Sequence, residues 1–105
     1  MQLDMEQLNA LPPADRNRYL ALEKLFAMPG WKIVVALAKQ NAEGAMRRAA
    51  FANTWADNRL AIGSGYAWNE LAELETATEK TYATMAVEAL TAANVDKLSE
   101  EHDFE

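Results

Sequence analysis

The stretch WKIVVALAKQNAEGAMRRAAFA, residues 31–52, decides the predicted fold of this chain. Its apolar residues recur at intervals of three and four, which places them on one face of an α-helix. Apart from its bulky start this face is alanine, and small side chains allow a neighbouring helix to approach closely. The stretch therefore predicts one helix of a tight antiparallel hairpin. Its predicted face consists of Trp31, Val34, Val35, Ala38, Ala42, Ala45, Ala49 and Ala52.

The partner helix is predicted to follow a short turn at residues 53–57. Thr54 and Asp57 form a weak capping box there, because Glu or Gln is the usual third residue after the cap. A long helix is then predicted from about Trp55 to Ala93. Gly63-Ser64-Gly65 lies within it, and two interior glycines cost roughly 2 kcal/mol relative to alanine. This step predicts either a local kink or a close crossing of two helices. The expected core face is Leu60, Ala67, Leu71, Leu74, Tyr82, Met85, Ala89 and Ala92.

The N-terminal quarter predicts two further helical segments. Apolar residues at 3, 5 and 8 indicate one or two turns before the Pro12-Pro13 break, and a helix is expected from Pro13 to about Ala27, where Pro29 follows. The predicted fold class is all-α, an antiparallel helical hairpin of two long helices with an additional N-terminal helix. We expect residues 1–95 to form a single helical domain and residues 96–105 an acidic C-terminal tail.

Composition excludes several classes of protein. The 105 residues include no cysteine, so disulfides, thiolate metal sites and a cysteine nucleophile are absent. The longest apolar run, residues 33–38, is far shorter than the roughly 20 residues of a membrane-spanning helix, and the acidic start does not resemble a signal peptide. We therefore expect a soluble, unexported protein without membrane contact.

Charge divides the chain into two halves. Residues 1–52 carry seven Lys/Arg and five Asp/Glu, a net charge of +2, whereas residues 53–105 carry three Lys/Arg and eleven Asp/Glu, a net charge of −8. Such a chain could pair its halves within one molecule or between molecules. The basic surplus is too small for binding of the phosphate backbone as the main activity, so no direct nucleic-acid contact is expected. The basic residues Lys32, Lys39, Arg47 and Arg48 are expected to pair with acidic residues of the following helix.

The residues that could carry chemistry form no recognisable site. His102 is the single histidine and lies in the predicted tail, where it has no fixed partner to make it a base or a metal ligand. Ser64 lacks the spacing of a nucleophile elbow. Glu70, Glu73, Glu75 and Glu79 are interpreted as a solvated acidic face, since no histidine is available to complete a di-metal motif. We predict that the chain is not an enzyme, with no catalytic residues, no cofactor and no metal.

A second apolar face on the long helix indicates a contact surface. Ile62 and Tyr66 lie 140–180° around the helix from Leu71, and Val87 extends this face. Either the helix at residues 13–27 covers it, which we favour, or another subunit does. The candidate interface residues are Trp31, Ile62, Tyr66, Trp68 and Val87, with the two tryptophans as anchors, and ordinary packing within the monomer is the alternative for each.

The segment from Met28 to Leu74 resembles a class of short helical proteins encoded among the virion structural genes of tailed bacteriophages. The resemblance lies in the Pro29-Gly30-Trp31-Lys32 entry, the polar turn at residues 53–57, Arg59 with Gly63, and the leucines at 71 and 74. It covers under half of the chain. The Gly63-Ser64-Gly65 step and the alanine-rich first helix depart from the class. The resemblance implies a helical hairpin and a phage origin, and it transfers no catalytic residues.

Two functions are consistent with these features. The first is a non-enzymatic structural or assembly protein of a phage particle, such as a minor capsid, decoration or connector-associated component, whose partners are copies of itself or capsid or portal proteins. The alternative is a small acidic effector that binds and inhibits a host nucleic-acid enzyme through its acidic half. The expected location is the virion or the host cytoplasm.

Overall fold

The computed structural model describes the backbone of residues 2–103 and the side chains of residues 2–96. Helix accounts for 88% of the chain, and the described residues contain no strand, which confirms the predicted all-α class. The five helices are α1 (Met5–Ala10), α2 (Pro13–Ala27), α3 (Pro29–Ala50), α4 (Trp55–Ala72) and α5 (Leu74–Asp103). Among these helices none is long and apolar enough to cross a membrane.

Local side-chain hydrogen bonds explain where the helices begin. The Asp4 carboxylate accepts a hydrogen bond from the Gln7 backbone N–H at 2.8 Å, and the Gln7 side chain accepts one from the Asp4 N–H at 3.2 Å, which forms a capping box at α1. Pro29 occupies the first turn of α3, where its missing N–H has no intrahelical partner to lose. The Thr54 hydroxyl accepts from the Asp57 N–H at 3.1 Å, so the predicted cap of α4 is confirmed.

The long helix expected from Trp55 to Ala93 is two helices in the structure. α4 ends at Ala72, α5 begins at Leu74, and Glu73 between them departs from helical geometry with φ −96° and ψ 4°. No glycine or proline occurs after Gly65, so no local signal marks this break. α5 runs to Asp103, across most of the residues for which we expected an acidic tail; residues 104 and 105 lie outside the described part of the chain.

The chain forms two compact units. Unit 1 contains the residues up to Lys24 together with those from Thr76 onwards, and unit 2 is Leu25–Glu75. Unit 1 has a core of large side chains to which α1, α2 and α5 contribute. The Arg16 guanidinium adds hydrogen bonds to the backbone carbonyls of Leu8 at 3.1 Å and Leu11 at 3.2 Å, which satisfies groups left free at the end of α1. The buried residues of this core are Leu3, Leu8, Leu11, Tyr19 and Ala86.

Unit 2 consists mainly of α3 and α4 packed against each other. The alanines predicted for the contact stripe of α3 at positions 38, 42, 45 and 49 are buried, as the sequence indicated, and Ala61 of α4 is buried with them. At the N-terminal end of α3, the Trp31 ring packs on Phe26 with the ring centroids 5.0 Å apart. The helices of this unit therefore meet through small side chains, with one aromatic pair at the end.

Gly65 lies at a close approach of α3 and α4. A Cβ built at this position would lie 2.9 Å from the Met46 sulfur and 3.6 Å from the Ala42 carbonyl oxygen. The helix continues without interruption through residues 63–65, so a break of the helix at this step is excluded and the predicted close crossing is confirmed for Gly65. Gly63 has a different environment, because a Cβ there would meet nothing within 4 Å.

Candidate interaction surface

The large apolar side chains that remain exposed are concentrated in unit 2. Fourteen such side chains are exposed in the described part of the chain, and eleven of them belong to residues 25–75. The packing of the unit explains this distribution, because two helices that meet along an alanine stripe bury only the side chains that face each other. The eleven are Leu25, Met28, Ile33, Val34, Leu37, Met46, Phe51, Trp55, Leu60, Tyr66 and Trp68.

One side of α4 carries exposed aromatic and charged side chains. Trp55, Ile62 and Tyr66 are separated by seven and four residues, which places them on one face of the helix. Trp55 is 75% exposed, Tyr66 is 65% exposed, and Ile62 is half-buried. The Arg59 guanidinium lies 5.2 Å from the centroid of the Trp55 ring, in a cation–π contact on the same face. We use the name α4 face for Trp55, Arg59, Ile62, Gly63, Tyr66 and Glu70, which fall within about 100° of arc at about 3.6 residues per turn.

The five residues predicted as an interface divide among several environments. Ile62 and Tyr66 lie together on the α4 face, and the structure leaves Tyr66 exposed. Trp31 is buried against Phe26, so it is a core residue of unit 2 rather than a free anchor. Trp68 is partly exposed on α4 outside the α4 face. Val87 is exposed on α5 and belongs to unit 1.

Three of the most exposed apolar residues were not recognised in the sequence. Phe51 is 83% exposed and Trp55 is 75% exposed, at the two ends of the connection between α3 and α4. Leu60 was expected in the core and is 73% exposed, so that prediction is wrong. Trp55 could have been found from the pattern, because it lies seven residues before Ile62 on the same helical face. For Phe51 no comparable signal exists, because it follows the last residue of a helix.

A groove runs beside the crossing of α3 and α4, with a volume of about 710 Å³. Ala42, Met46 and Ala50 line it with apolar atoms, and Lys39 and Arg47 lie at its edge.

The expected pairing of the basic residues of α3 with acids of the next helix is wrong: within residues 2–96, Lys32, Lys39, Arg47 and Arg48 make no ion pair. α4 has only Asp57 and Glu70 to offer, and most of the negative charge of the second half lies on α5.

A cluster of three titratable side chains lies in unit 1, at Tyr19, Glu23 and Glu79. The Tyr19 hydroxyl donates a hydrogen bond of 2.7 Å to the Glu79 carboxyl group, and Glu79 is only 6% exposed. Glu79 was interpreted as part of a solvated acidic face, which is wrong. The spacing of residues on α5 gives a signal for the burial of Glu79. Tyr82 follows it by three residues and Ala86 follows Tyr82 by four, so the three share the core-facing side of α5.

Burial and mutual contact shift these acids in opposite directions. Burial raises the pKa of Glu79 above its ordinary value of 4.5, and the hydrogen bond with Glu23 raises it further. For Glu23, burial opposes ionisation, but several electrostatic interactions, of which the hydrogen bond with Glu79 is the largest, together lower the pKa. Burial also raises the pKa of the Tyr19 hydroxyl well above its usual range. The two carboxyl groups therefore favour a state in which the pair holds one proton.

This arrangement gives the acid pair a packing role in unit 1. Tyr19 is fully buried and packs on Tyr82 with ring centroids 5.3 Å apart, while Glu79 is buried and Glu23 is half-buried. Within the described residues no group of three His, Cys, Asp or Glu side chains could hold a metal ion. His102 lies beyond the residues whose side chains are described.

Comparison of the chain with protein-family models, with curated protein sequences and with solved structures gives no match.

Proposed function

We propose that this protein is a non-enzymatic structural or assembly protein that acts through protein–protein contacts made by unit 2. The observation that carries the proposal is the concentration of exposed large apolar side chains there, eleven of fourteen in the described residues. Contiguous exposed apolar surface is typical of interaction sites, and Trp and Tyr are enriched among the residues that dominate binding energy.

The α3–α4 pair suits this role as a rigid platform. We take the two helices, joined by residues 51–54, as an antiparallel hairpin whose inner stripe of small residues holds them close together. Large side chains are then left to point outward on both sides of the pair. Side chains presented by two packed helices lose less conformational freedom on binding than those of a loop, which favours affinity.

The identity of the assembly comes from the resemblance to phage proteins. The Pro29-Gly30-Trp31-Lys32 entry and the polar turn before α4 support a role among virion structural components, such as a minor capsid, decoration or connector-associated subunit. The partners in that role are copies of this chain or capsid and portal proteins. The exposed apolar surface of unit 2 supports binding to other proteins, and the resemblance to phage proteins supports a role in the phage particle.

Site-specific photo-crosslinking tests this proposal. p-Benzoylphenylalanine is placed at Phe51, exposed in unit 2, and in a matched control at Thr91, exposed on α5 in unit 1. We expect position 51 to form a covalent adduct with a structural protein of the particle and position 91 to form none. Absence of an adduct from position 51, together with absence of the chain from purified particles, would overturn the proposal.

The acidic effector remains the second candidate function, and exposed carboxylates on α5 favour it. Glu75, Glu88 and Asp96 are exposed on this helix. Binding to a basic site on a nucleic-acid enzyme would weaken steeply as salt rises, because exposed charges are screened within about 8 Å at physiological ionic strength. Binding through the apolar side chains of unit 2 would persist in high salt, so a salt titration of a captured complex separates the two functions.

A further inference from the structure

Gly63 is the feature of α4 that packing within the chain does not explain. Glycine in an exposed helix interior costs about 1 kcal/mol relative to alanine. Gly65 two residues later has a reason, because α3 crosses there. At Gly63 an added Cβ would meet nothing within 4 Å, so contacts of a Cβ within the chain do not account for glycine at this position. A glycine at such a position does permit close approach by a second helix from outside.

The residues around Gly63 give the α4 face a particular order of charge. Arg59 supplies a positive charge toward the N-terminal end, Tyr66 lies near the middle, and Glu70 supplies a negative charge toward the C-terminal end. A surface that is basic at one end and acidic at the other complements itself when two copies are placed antiparallel. Interfaces between two identical chains related by a two-fold axis require this kind of self-complementarity.

The sequence positions of these residues are consistent with one two-fold axis between two α4 helices. The midpoint between Arg59 and Glu70 in the sequence is 64.5, and the midpoint between Gly63 and Tyr66 is also 64.5. In an antiparallel pair of α4 helices centred there, Arg59 lies opposite Glu70 of the second copy. The same register places the Tyr66 ring over Gly63 of the second copy, where no side chain blocks it.

We infer that α4 forms a homodimer interface, in which the α4 faces of two copies pack antiparallel, with Tyr66 of each copy against Gly63 of the other and Arg59 paired with Glu70 at both ends. This inference rests on the proposed function, since it takes unit 2 as the contact surface, and it names a second copy of the chain as one partner.

The geometry of the single chain excludes the same pairing in cis. Arg59 and Glu70 are eleven residues apart on one helix, which separates them by about 16 Å along its axis. Within the described side chains Arg59 contacts the Trp55 ring and makes no ion pair. α4 has 18 residues and is about 27 Å long, so one helix pair buries an area at the low end for specific interfaces. The dimer is therefore expected to depend on concentration.

The first experiment reverses the charges in the full-length chain and measures the dimerisation constant by sedimentation velocity. Arg59→Glu alone places two acids opposite each other at both ends, and Glu70→Arg alone places two bases there. Each is expected to weaken dimerisation about tenfold or more, since like charges face each other. The Arg59→Glu/Glu70→Arg double variant is expected to restore the dimer to within about threefold of the unchanged protein.

Mixing the two single variants provides a more stringent test of the same charge pairs. One variant then carries acids at both 59 and 70, and the other carries bases at both, so a mixture satisfies every pair. We expect heterodimers in the mixture at concentrations where each variant alone is monomeric. Failure of both the double variant and the mixture to recover the dimer would overturn the antiparallel register.

The second experiment fills the space at Gly63. Gly63→Leu is expected to abolish the dimer, while its monomer becomes at least as stable as the unchanged one, because leucine favours helix. Gly30→Leu is the matched control, since it is also an exposed helical glycine with nothing within 4 Å of an added Cβ, and it should leave the dimer intact. A dimer that tolerates Gly63→Leu would overturn the inference.

A chain that stays monomeric at millimolar concentration in low and high salt would also overturn the inference. That result would leave the proposed function standing, because crosslinking from Phe51 tests contacts with other proteins through a residue outside the α4 face. Conversely, a confirmed dimer without any adduct from Phe51 would support self-association alone.

Discussion

The two units of this protein are both helical, but they bury different kinds of side chain. The core of unit 1 consists of leucines and Tyr19, next to the pair of acids Glu23 and Glu79. Only three of its large apolar side chains remain exposed among the described residues. Unit 2 packs mainly through alanine and Gly65, and eleven remain exposed. Alanine permits close helix packing but contributes little buried area, so the larger residues of such a pair are left for other contacts.

The aromatic residues allow the two units to be followed separately. All three tryptophans, Trp31, Trp55 and Trp68, lie in unit 2, so tryptophan fluorescence reports on that unit alone. Tyr19 and Tyr82 lie in unit 1. Denaturant unfolding followed by fluorescence and by far-UV circular dichroism can therefore assign a change in stability to one unit or the other.

The largest difference between the two units is expected when one tyrosine of each unit is replaced by alanine. Tyr19→Ala should lower the free energy of unfolding of unit 1 by about 4 kcal/mol, because it removes a fully buried ring and leaves Glu79 without its hydrogen bond. Tyr66→Ala, studied as a monomer, should change stability by less than about 0.5 kcal/mol, because its side chain is exposed. Urea unfolding measures both, and equal losses would contradict the contrast between the units.

The next largest effect separates the two glycines of α4. Gly65→Leu should lower the stability of unit 2 by about 2–3 kcal/mol, because a side chain at the crossing meets Met46 and the backbone of Ala42. Gly63→Leu should not lower it. Tryptophan fluorescence during denaturant unfolding is the measurement. A similar loss in both variants would show that α4 is enclosed on two sides within one chain, against the exposure that the structure gives it.

A change of about 1 kcal/mol with a defined pH dependence is expected at the acid pair. The pKa of Glu79 is raised in the folded state, so its contribution to stability is complete below the ordinary value of 4.5 and declines as pH rises through the raised pKa. The lowered pKa of Glu23 has its effect at the acidic end of the pH range, because stability is lost as pH falls through that pKa.

Glu79→Gln keeps a hydrogen-bonding group at this position but cannot ionise. The variant should therefore lose the decline in melting temperature that we expect in the unchanged protein as pH rises above 4.5, and the two curves should diverge as pH rises. Glu75→Gln, an exposed glutamate one turn earlier, is the control and should leave the profile unchanged. Parallel curves for Glu79→Gln and the unchanged protein would show that the pair does not hold a proton.

The smallest effect compares the helix caps of the two units. Thr54→Ala removes the hydrogen bond to the Asp57 N–H at the start of α4, and Asp4→Ala removes the one to the Gln7 N–H at the start of α1. Each should lower stability by about 1 kcal/mol in its own unit. Hydrogen exchange of the first-turn amides checks where the loss occurs, and exchange that rises in both units after one substitution would contradict their separation.

Helix positions were largely predictable because they depend on local features. Pro12-Pro13 and Met28-Pro29 ended and began helices where the residue before a proline disfavours helix, and the polar residues before Trp55 supplied a cap. The alanine stripe of α3 was also identified correctly, since spacing of three and four determines which side chains share a helical face. The break at Glu73 was missed, because it has no local signal and coincides with the change from one packing unit to the other.

The candidate surface was predictable only in part for a related reason. Ile62 and Tyr66 were placed on one face by helical geometry, and the structure adds Trp55 and Arg59 to that face. The exposure of Leu60 could not be deduced, since an apolar residue at a core spacing is buried only if another element covers it. Likewise, the burial of Glu79 depends on Tyr19 and Glu23, which lie more than fifty residues away in the chain.

The sequence by itself therefore determined the helical class, most helix ends and the small-residue contact of α3, because these follow from backbone propensity and periodicity. Only the tertiary structure decided which faces are covered, where the second long helix divides, and which acids share a proton. Burial and electrostatic coupling arise between residues distant in the chain, so periodicity along one helix cannot specify them. The exposed α4 face, with its unexplained Gly63, is such a tertiary result.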